Sequence, residues 1–273
     1  MPYYVTSDNT KLYYEEKGDG KPILFIHGWS CSTASFEPVV SILKKSYHCI
    51  SYDHRGHGAS SFTQGGYTVD QLARDLNELI LFLGIEKVNL VGHSMGASTI
   101  YSYVDQFGCE KINKIVLLDM SPKLLNDETW HKGLLRGQYF IDDLMSDLSL
   151  MSQDMSLFMW RFWRLVNPKF AALPETMKAS VAPGLIGENH PHTLICLWHS
   201  ILYSDYREAL KKISVPTLYG LPDYPLYDEA TAEYIQTNID APVEIILFEK
   251  STHMIQEEHP QKTAYIMDQF IKA

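Results

Sequence analysis

A serine between two glycines, in Val91-Gly92-His93-Ser94-Met95-Gly96, constrains this chain more than any other stretch. Before it, Lys87-Val88-Asn89-Leu90-Val91 is short and apolar with two valines, which predicts a buried strand. After it, residues 97–107 have helical character, and Gly108 can end the helix. The serine therefore belongs on a sharp turn from strand to helix. Such a turn exposes the hydroxyl but forces the nucleophile into a strained backbone conformation. Side chains two residues to either side would collide with the strand and the helix, so glycine fits at 92 and 96. The turn also aims the Met95 N–H and the helix N-terminus at any oxyanion formed on Ser94. Gly-x-Ser-x-Gly alone is five common residues and recurs by chance. Its flanks raise its weight, and the rest of the chain decides.

At 273 residues the chain can hold one large α/β domain, or a core with an inserted subdomain. A formal net charge of −10 argues against nucleic acid and anionic membranes as partners. No apolar run reaches membrane-spanning length. The segment Met1-Pro2-Tyr3-Tyr4-Val5-Thr6 has neither a basic stretch nor a long apolar one, so no signal peptide is expected. Cys31, Cys49, Cys109 and Cys196 are widely spaced and lack a Cys-x-x-Cys pair. They predict free thiols in a reducing, cytoplasmic setting rather than a metal site.

Along the chain, Tyr3-Tyr4-Val5 and Leu12-Tyr13-Tyr14-Glu15 predict two antiparallel strands around a turn. Pro22-Ile23-Leu24-Phe25-Ile26 is apolar throughout, as inside a parallel sheet. A helix is expected over 35–45 and a strand over 47–52. Apolar residues at 69, 72, 73, 76, 79, 80 and 83 repeat with a helical period, and Gly84 ends the run. The strand 115–118 follows the serine's helix. Strands alternating with helices at this spacing imply parallel βαβ units. The alternation stops at Asp119-Met120-Ser121-Pro122. From there to about 204 no strand stands out, while helices are expected over 144–151 and 155–166. This interval holds four of the five tryptophans, so it must bury something. A helix over 206–213, a strand over 215–219, a helix over 229–238, a strand over 244–248 and a helix over 260–271 close the chain. The expected division is a core over 1–120 and 205–273 with a helical cap over 121–204.

Four motifs in order now resemble the α/β-hydrolase superfamily along nearly the whole chain. They are His27-Gly28-Trp29, Asp53-x-Arg55-Gly56-x-Gly58-x-Ser60, Gly92-His93-Ser94-Met95-Gly96, and His253 after the last strand. The resemblance implies an eight-stranded, mostly parallel sheet with helices on both faces and a cap inserted after the sixth strand. It is greatest to the small cytoplasmic serine esterases, with cofactor-free perhydrolases and carbon–carbon bond hydrolases as relatives.

On this reading Ser94 is the nucleophile and His253 the base, in a loop at the carboxyl edge of the sheet, where ligands bind. His259 is expected to be a solvated residue at a helix start. The family's Gly-x-x-Asp after the seventh strand is matched by Gly220-Leu221-Pro222-Asp223, which favours Asp223 as the acid. The following Tyr224-Pro225-Leu226-Tyr227 departs from the family's usual polar loop and opens the way to a shifted register, so Asp228 competes locally. Asp119 competes from the end of the sixth strand; its bland role is a cap at the entrance to the insertion. The backbone N–H groups of Trp29 and Met95 should form the oxyanion hole, with the Trp29 side chain lining the pocket. Trp160 and Trp163, three apart on one helix, are candidates to line it from the cap. Arg55 should tie loops together and takes no catalytic role. His54 and His57, and His190, His192 and His199, lack the ligand set of a metal site. Cys31 has no activating partner.

The expected activity is that of a soluble serine hydrolase with no cofactor, cleaving a small to medium ester through an acyl-enzyme. An aromatic, methionine-rich cap suits an apolar group. Serine at the nucleophile position argues against the aspartate-using dehalogenase and epoxide hydrolase relatives. Perhydrolysis or carbon–carbon cleavage on the same triad is one alternative. A hydrolase-fold sensor of a small molecule with little turnover is another.

Overall fold

The computed structural model describes residues 2–224 and 226–273, so Met1 and Pro225 lie outside it. Eight strands form one sheet: β1 (Tyr3–Val5), β2 (Lys11–Lys17), β3 (Lys21–Ile26), β4 (Tyr47–Tyr52), β5 (Val88–His93), β6 (Ile112–Leu118), β7 (Thr217–Pro222) and β8 (Val243–Phe248). Their spatial order is β1-β2-β4-β3-β5-β6-β7-β8. The first two strands run antiparallel to their neighbours, and every pairing from β4 to β8 is parallel. The resemblance implied this sheet, and the expected strands match its members, except that the one expected over 215–219 begins two residues later and runs on to Pro222.

The strand order decides where a ligand can go. After β3 the chain crosses to β4 on one side, and after β4 it returns to β5 on the other. The carboxyl ends of β3 and β5 therefore flank the point where the winding reverses, the crevice used for ligands in open α/β sheets. Residues 27–29 leave β3 there, and Ser94 leaves β5 there.

Alternation along the strands serves two cores. Leu24, Ile26 and Leu90 face one layer, with α2 (Val69–Phe82) and α3 (Met95–Phe107). Ile23, Phe25 and Val91 face the other, with α1 (Glu37–Leu43) and the last helix, α13 (Pro260–Lys272). In α2 the apolar stripe expected from the period is buried from Val69 to Ile80. Thr68 caps its start by accepting from the Gln71 N–H at 3.2 Å. The helix expected over 35–45 begins later because Ser32 caps a tight turn first and Pro38 then fits the first helical turn.

Between β6 and β7 lies a helical insertion. It carries a short turn, α4 (Leu134–Gly137), and helices α5 (Ile141–Gln153), α6 (Met155–Val166), α7 (Pro168–Ala171), α8 (Lys178–Ile186) and α9 (Pro191–Tyr203). Only α5 and α6 were legible as helices. Pro183 sits inside α8, and α9 is apolar on too many sides to show a stripe. Of the helix expected over 206–213, only α10 (Arg207–Leu210) forms. The core resumes with α11 (Glu229–Asn238) and a short α12 (Ile255–Glu258) ahead of α13. No helix among the described residues is long and apolar enough to cross a membrane.

Arg55 is almost wholly buried and joins three segments. Its Nε and Nη2 reach the two oxygens of Asp75 on α2 at 2.7 and 2.6 Å. Its Nη1 reaches Asp8, in the turn between β1 and β2, at 2.8 Å. A bidentate, buried pair of this kind fixes the loop after β4 against the sheet edge.

Candidate active site

Ser94 has φ 54° and ψ −121°, a conformation that costs an L-residue on the order of 1–3 kcal/mol. The strain follows from the turn, and two glycines make the turn possible. A Cβ at Gly96 would lie 2.0 Å from the Ile26 carbonyl oxygen, and one at Gly92 would lie 2.6 Å from the Ala97 nitrogen. The elbow is thus wedged between β3 and α3. Met95 opens α3, so its N–H has no acceptor within the helix. The Trp29 N–H likewise donates to no other backbone group among the described residues. Both stay available at the mouth of the crevice.

The chain after β8 brings in His253. Its Nδ1 lies 2.6 Å from Asp119 Oδ2, and both side chains are buried. A proton on Nδ1 donates to the carboxylate, which leaves the Nε2 lone pair for the serine side. Burial raises the Asp119 carboxyl above its usual range, against the opposing pull of the hydrogen bond from His253. Asp119 directly follows β6, which pairs with the strand carrying Ser94, and its own backbone is left-handed at φ 49°.

This corrects the expectation for the acid. Asp223 is exposed, and its Oδ2 accepts the Lys250 N–H at 2.8 Å. The Gly-x-x-Asp spacing misleads because β7 does not stop at Tyr219. It runs on to Pro222, pairing with Phe248, so Gly220 to Pro222 are strand and Asp223 emerges at its far end. There its carboxylate braces the turn after β8 instead of reaching His253. Asp228 caps α11, accepting the Thr231 N–H at 3.1 Å.

His93 was missed as anything but the variable residue of the motif. Its Nε2 lies 2.7 Å from the His253 carbonyl oxygen, and the two rings are 4.6 Å apart. Burial pushes the His93 imidazole well below its usual range, so it is neutral. A neutral ring beside a carbonyl must carry its proton on Nε2 and donate it. His93 therefore anchors the backbone of His253.

Ser94, His253, Trp29 and Trp163 line one cavity of about 40 Å³. Most of its other walls are apolar, among them Met120, Leu134, Phe162 and Trp198, with Ser30 and His93 as polar exceptions. The Trp29 ring lies 4.9 Å from that of Trp198, and its indole N–H donates to the Leu194 carbonyl at 3.0 Å, tying the core to the insertion. Trp160 does not reach this cavity. Its indole N–H donates to Glu175 at 2.9 Å and Arg164 covers its ring, so it packs the insertion internally. Trp160 and Trp163 were both expected to line the pocket from one helix, but a three-residue step turns a helix about 60° short of a full turn, enough to part them. Cys31 also lines the cavity, and burial pushes its thiol up to about 12.

Beneath the crevice His27, His54 and His57 pack ring against ring, with centroids 4.5 to 6.3 Å apart. Burial pushes His27 down to about 4 and His57 down to about 3. An unfolded histidine titrates near 6.5, so in mild acid the unfolded chain binds protons that the folded one refuses. Stability should therefore fall as pH drops from about 6.5 toward 4. Between about pH 6.5 and 5, above the carboxylate range, the loss should be about 2 kcal/mol for each of these two residues. Urea unfolding at those two pH values measures it, and equal free energies would contradict the neutral cluster. Neither this cluster nor His190, His192 and His199 forms a group of three ligands arranged for a metal among the described residues.

The model of the alpha/beta hydrolase fold family matches residues 21–260. The non-heme chloroperoxidase CPO-A1 of Kitasatospora aureofaciens is 28% identical over 93% of each chain. The bifunctional esterase/perhydrolase DCH of Acinetobacter calcoaceticus is 28% identical over 80% of each. Among solved structures, the esterase from Exiguobacterium antarcticum superposes with a TM-score of 0.87 at 25% identity, covering 99% of each chain.

Proposed function

The chain belongs to the α/β-hydrolase family, and from that premise we propose that it transfers the acyl group of a small carboxylic ester to hydrogen peroxide as well as to water. The observation that carries the reading is His253, which lines the same cavity as Ser94 and is paired behind it with the buried Asp119 at 2.6 Å. Ser94 Oγ attacks the ester carbonyl while His253 Nε2 takes its proton. The oxyanion is held by the N–H groups of Trp29 and Met95. Collapse expels the alcohol, which leaves with the proton from His253. Hydrogen peroxide then gives its proton to His253 and attacks the acyl-Ser94 carbonyl, and Ser94 regains the proton. The products are a peracid and free enzyme; with water in place of peroxide the product is the acid.

The relatives' names support peroxide as the second substrate: one is called a chloroperoxidase and another an esterase/perhydrolase. A peracid released into solution oxidises a halide to hypohalous acid and becomes the carboxylic acid. No redox group in the protein is needed for that sequence. The insertion, taken as residues 121–204, acts as a cap that sets substrate choice, since Leu124, Leu134, Phe162, Trp163, Trp198 and Ile201 all line the cavity. Four free thiols support a cytoplasmic setting.

With a short-chain ester and hydrogen peroxide, the enzyme should form peracid and brominate a chromogenic acceptor when bromide is added. Both products should vanish together in Ser94→Ala. Ester cleavage at an unchanged rate with no peracid would restrict the enzyme to plain hydrolysis.

A further inference from the structure

The cavity is not isolated: two outer grooves abut it through different walls. One groove, of about 550 Å³, lies along α5 and α6 and shares only Leu134 and Phe162 with the cavity. The other, of about 950 Å³, lies on the seam between the insertion and the core and shares Ser30, Cys31, Trp163 and Met254. The seam groove is mixed: Trp163, Phe170, Leu185 and Met254 give it apolar walls, Ser32, Asn167 and Glu257 polar ones, and the Lys169–Glu258 ion pair spans it at 3.0 Å.

Chemistry orients the ester between these walls. The leaving oxygen must receive its proton from His253, so the alcohol half lies on the His253 side. Met254 follows His253 and belongs to the seam groove, as do Glu257 and Glu258. The acyl half then takes the rest of the cavity, where Leu134 and Phe162 stand between it and the groove along α5 and α6. A cavity of about 40 Å³ holds only a few water-sized groups, at roughly 10–15 Å³ each.

We propose that this site selects esters of short acids with bulky alcohols: the acyl chain ends against Leu134 and Phe162, and the alcohol extends into the seam groove past Trp163 and Met254. This rests on the acyl-Ser94 reading above and adds which half of the substrate is restricted and by which side chains. The Phe162 ring is held edge-on to Trp198 at 5.0 Å and stacked on Phe158 at 5.9 Å, so the wall is a packed one.

The test measures kcat/KM for p-nitrophenyl acetate, butyrate and octanoate, and for ethyl and naphthyl acetates, per Ser94 titrated with a fluorophosphonate. Wild type should favour acetate over octanoate by about 100-fold, the scale of discrimination that a filled apolar pocket achieves. Phe162→Ala should raise the octanoate-to-acetate ratio about 10-fold by opening the cavity into the outer groove. Leu134→Ala should do the same, and serves if Phe162→Ala does not fold. Trp163→Ala should change the naphthyl-to-ethyl ratio and leave the acyl ranking as it was. A titratable Ser94 that prefers octanoate overturns the proposal while sparing the acyl-enzyme. So does an acyl ranking moved by Trp163→Ala but by neither wall variant. Absence of any label on Ser94 overturns both.

Discussion

Ser94→Ala should lower turnover by on the order of 10⁴ to 10⁶ while leaving the fold intact. That is roughly 5–8 kcal/mol of transition-state stabilisation, at about 1.4 kcal/mol per factor of ten. Stability should not follow activity. Ser94 is held at φ 54° by the elbow, and alanine at the same position keeps that strain. Ser94→Gly removes it and should therefore be inactive yet more stable than wild type, by about 1 kcal/mol. Denaturant unfolding of the three proteins beside ester assays would show this. A Ser94→Gly protein less stable than Ser94→Ala would mean that the elbow is relaxed, and that its geometry was not selected for the nucleophile.

The second large effect concerns the acid. Asp119→Asn should cost on the order of 10³ to 10⁴ in turnover. The carboxylate fixes the proton of His253 on Nδ1, 2.6 Å away, and stabilises the imidazolium that forms. An amide there can offer its NH₂ instead, which moves the ring proton to Nε2 and removes the base. Asp223→Asn should change turnover by less than about tenfold, because Asp223 only accepts the Lys250 N–H at the exposed end of β7. Parallel kinetics on the two variants check the assignment. A larger loss at Asp223 would return the acid to the place that spacing suggested.

Much of this architecture was legible in the chain. Strands that are buried on both faces read as unbroken apolar runs, so β3, β5 and β6 declare themselves, and their glycines and loops follow. The elbow was legible because only glycine tolerates a backbone oxygen 2.0 Å from where a Cβ would sit, as at Gly96. Asp119 was legible only as one of three candidates to partner His253, because the choice depends on where β7 ends, and three more residues of pairing with β8 leave Asp223 exposed. The clamp of His93 on the His253 carbonyl joins residues 160 positions apart, and no local pattern encodes it. The cap walls suffer the same limit. Phe162, Trp163 and Trp198 reach the cavity while Trp160 does not, a difference set by how α6 and α9 pack rather than by composition.

An acyl group carried on Ser94 is read directly by peptide mapping of the rapidly quenched enzyme. After brief reaction with p-nitrophenyl acetate, the acetyl group should be found on the peptide holding Gly92 to Gly96, and hydrogen peroxide added before the quench should discharge it as peracetic acid. An acetyl group found on Cys31 or Ser30, which also line the cavity, with Ser94 unmodified, would contradict the acyl-Ser94 mechanism.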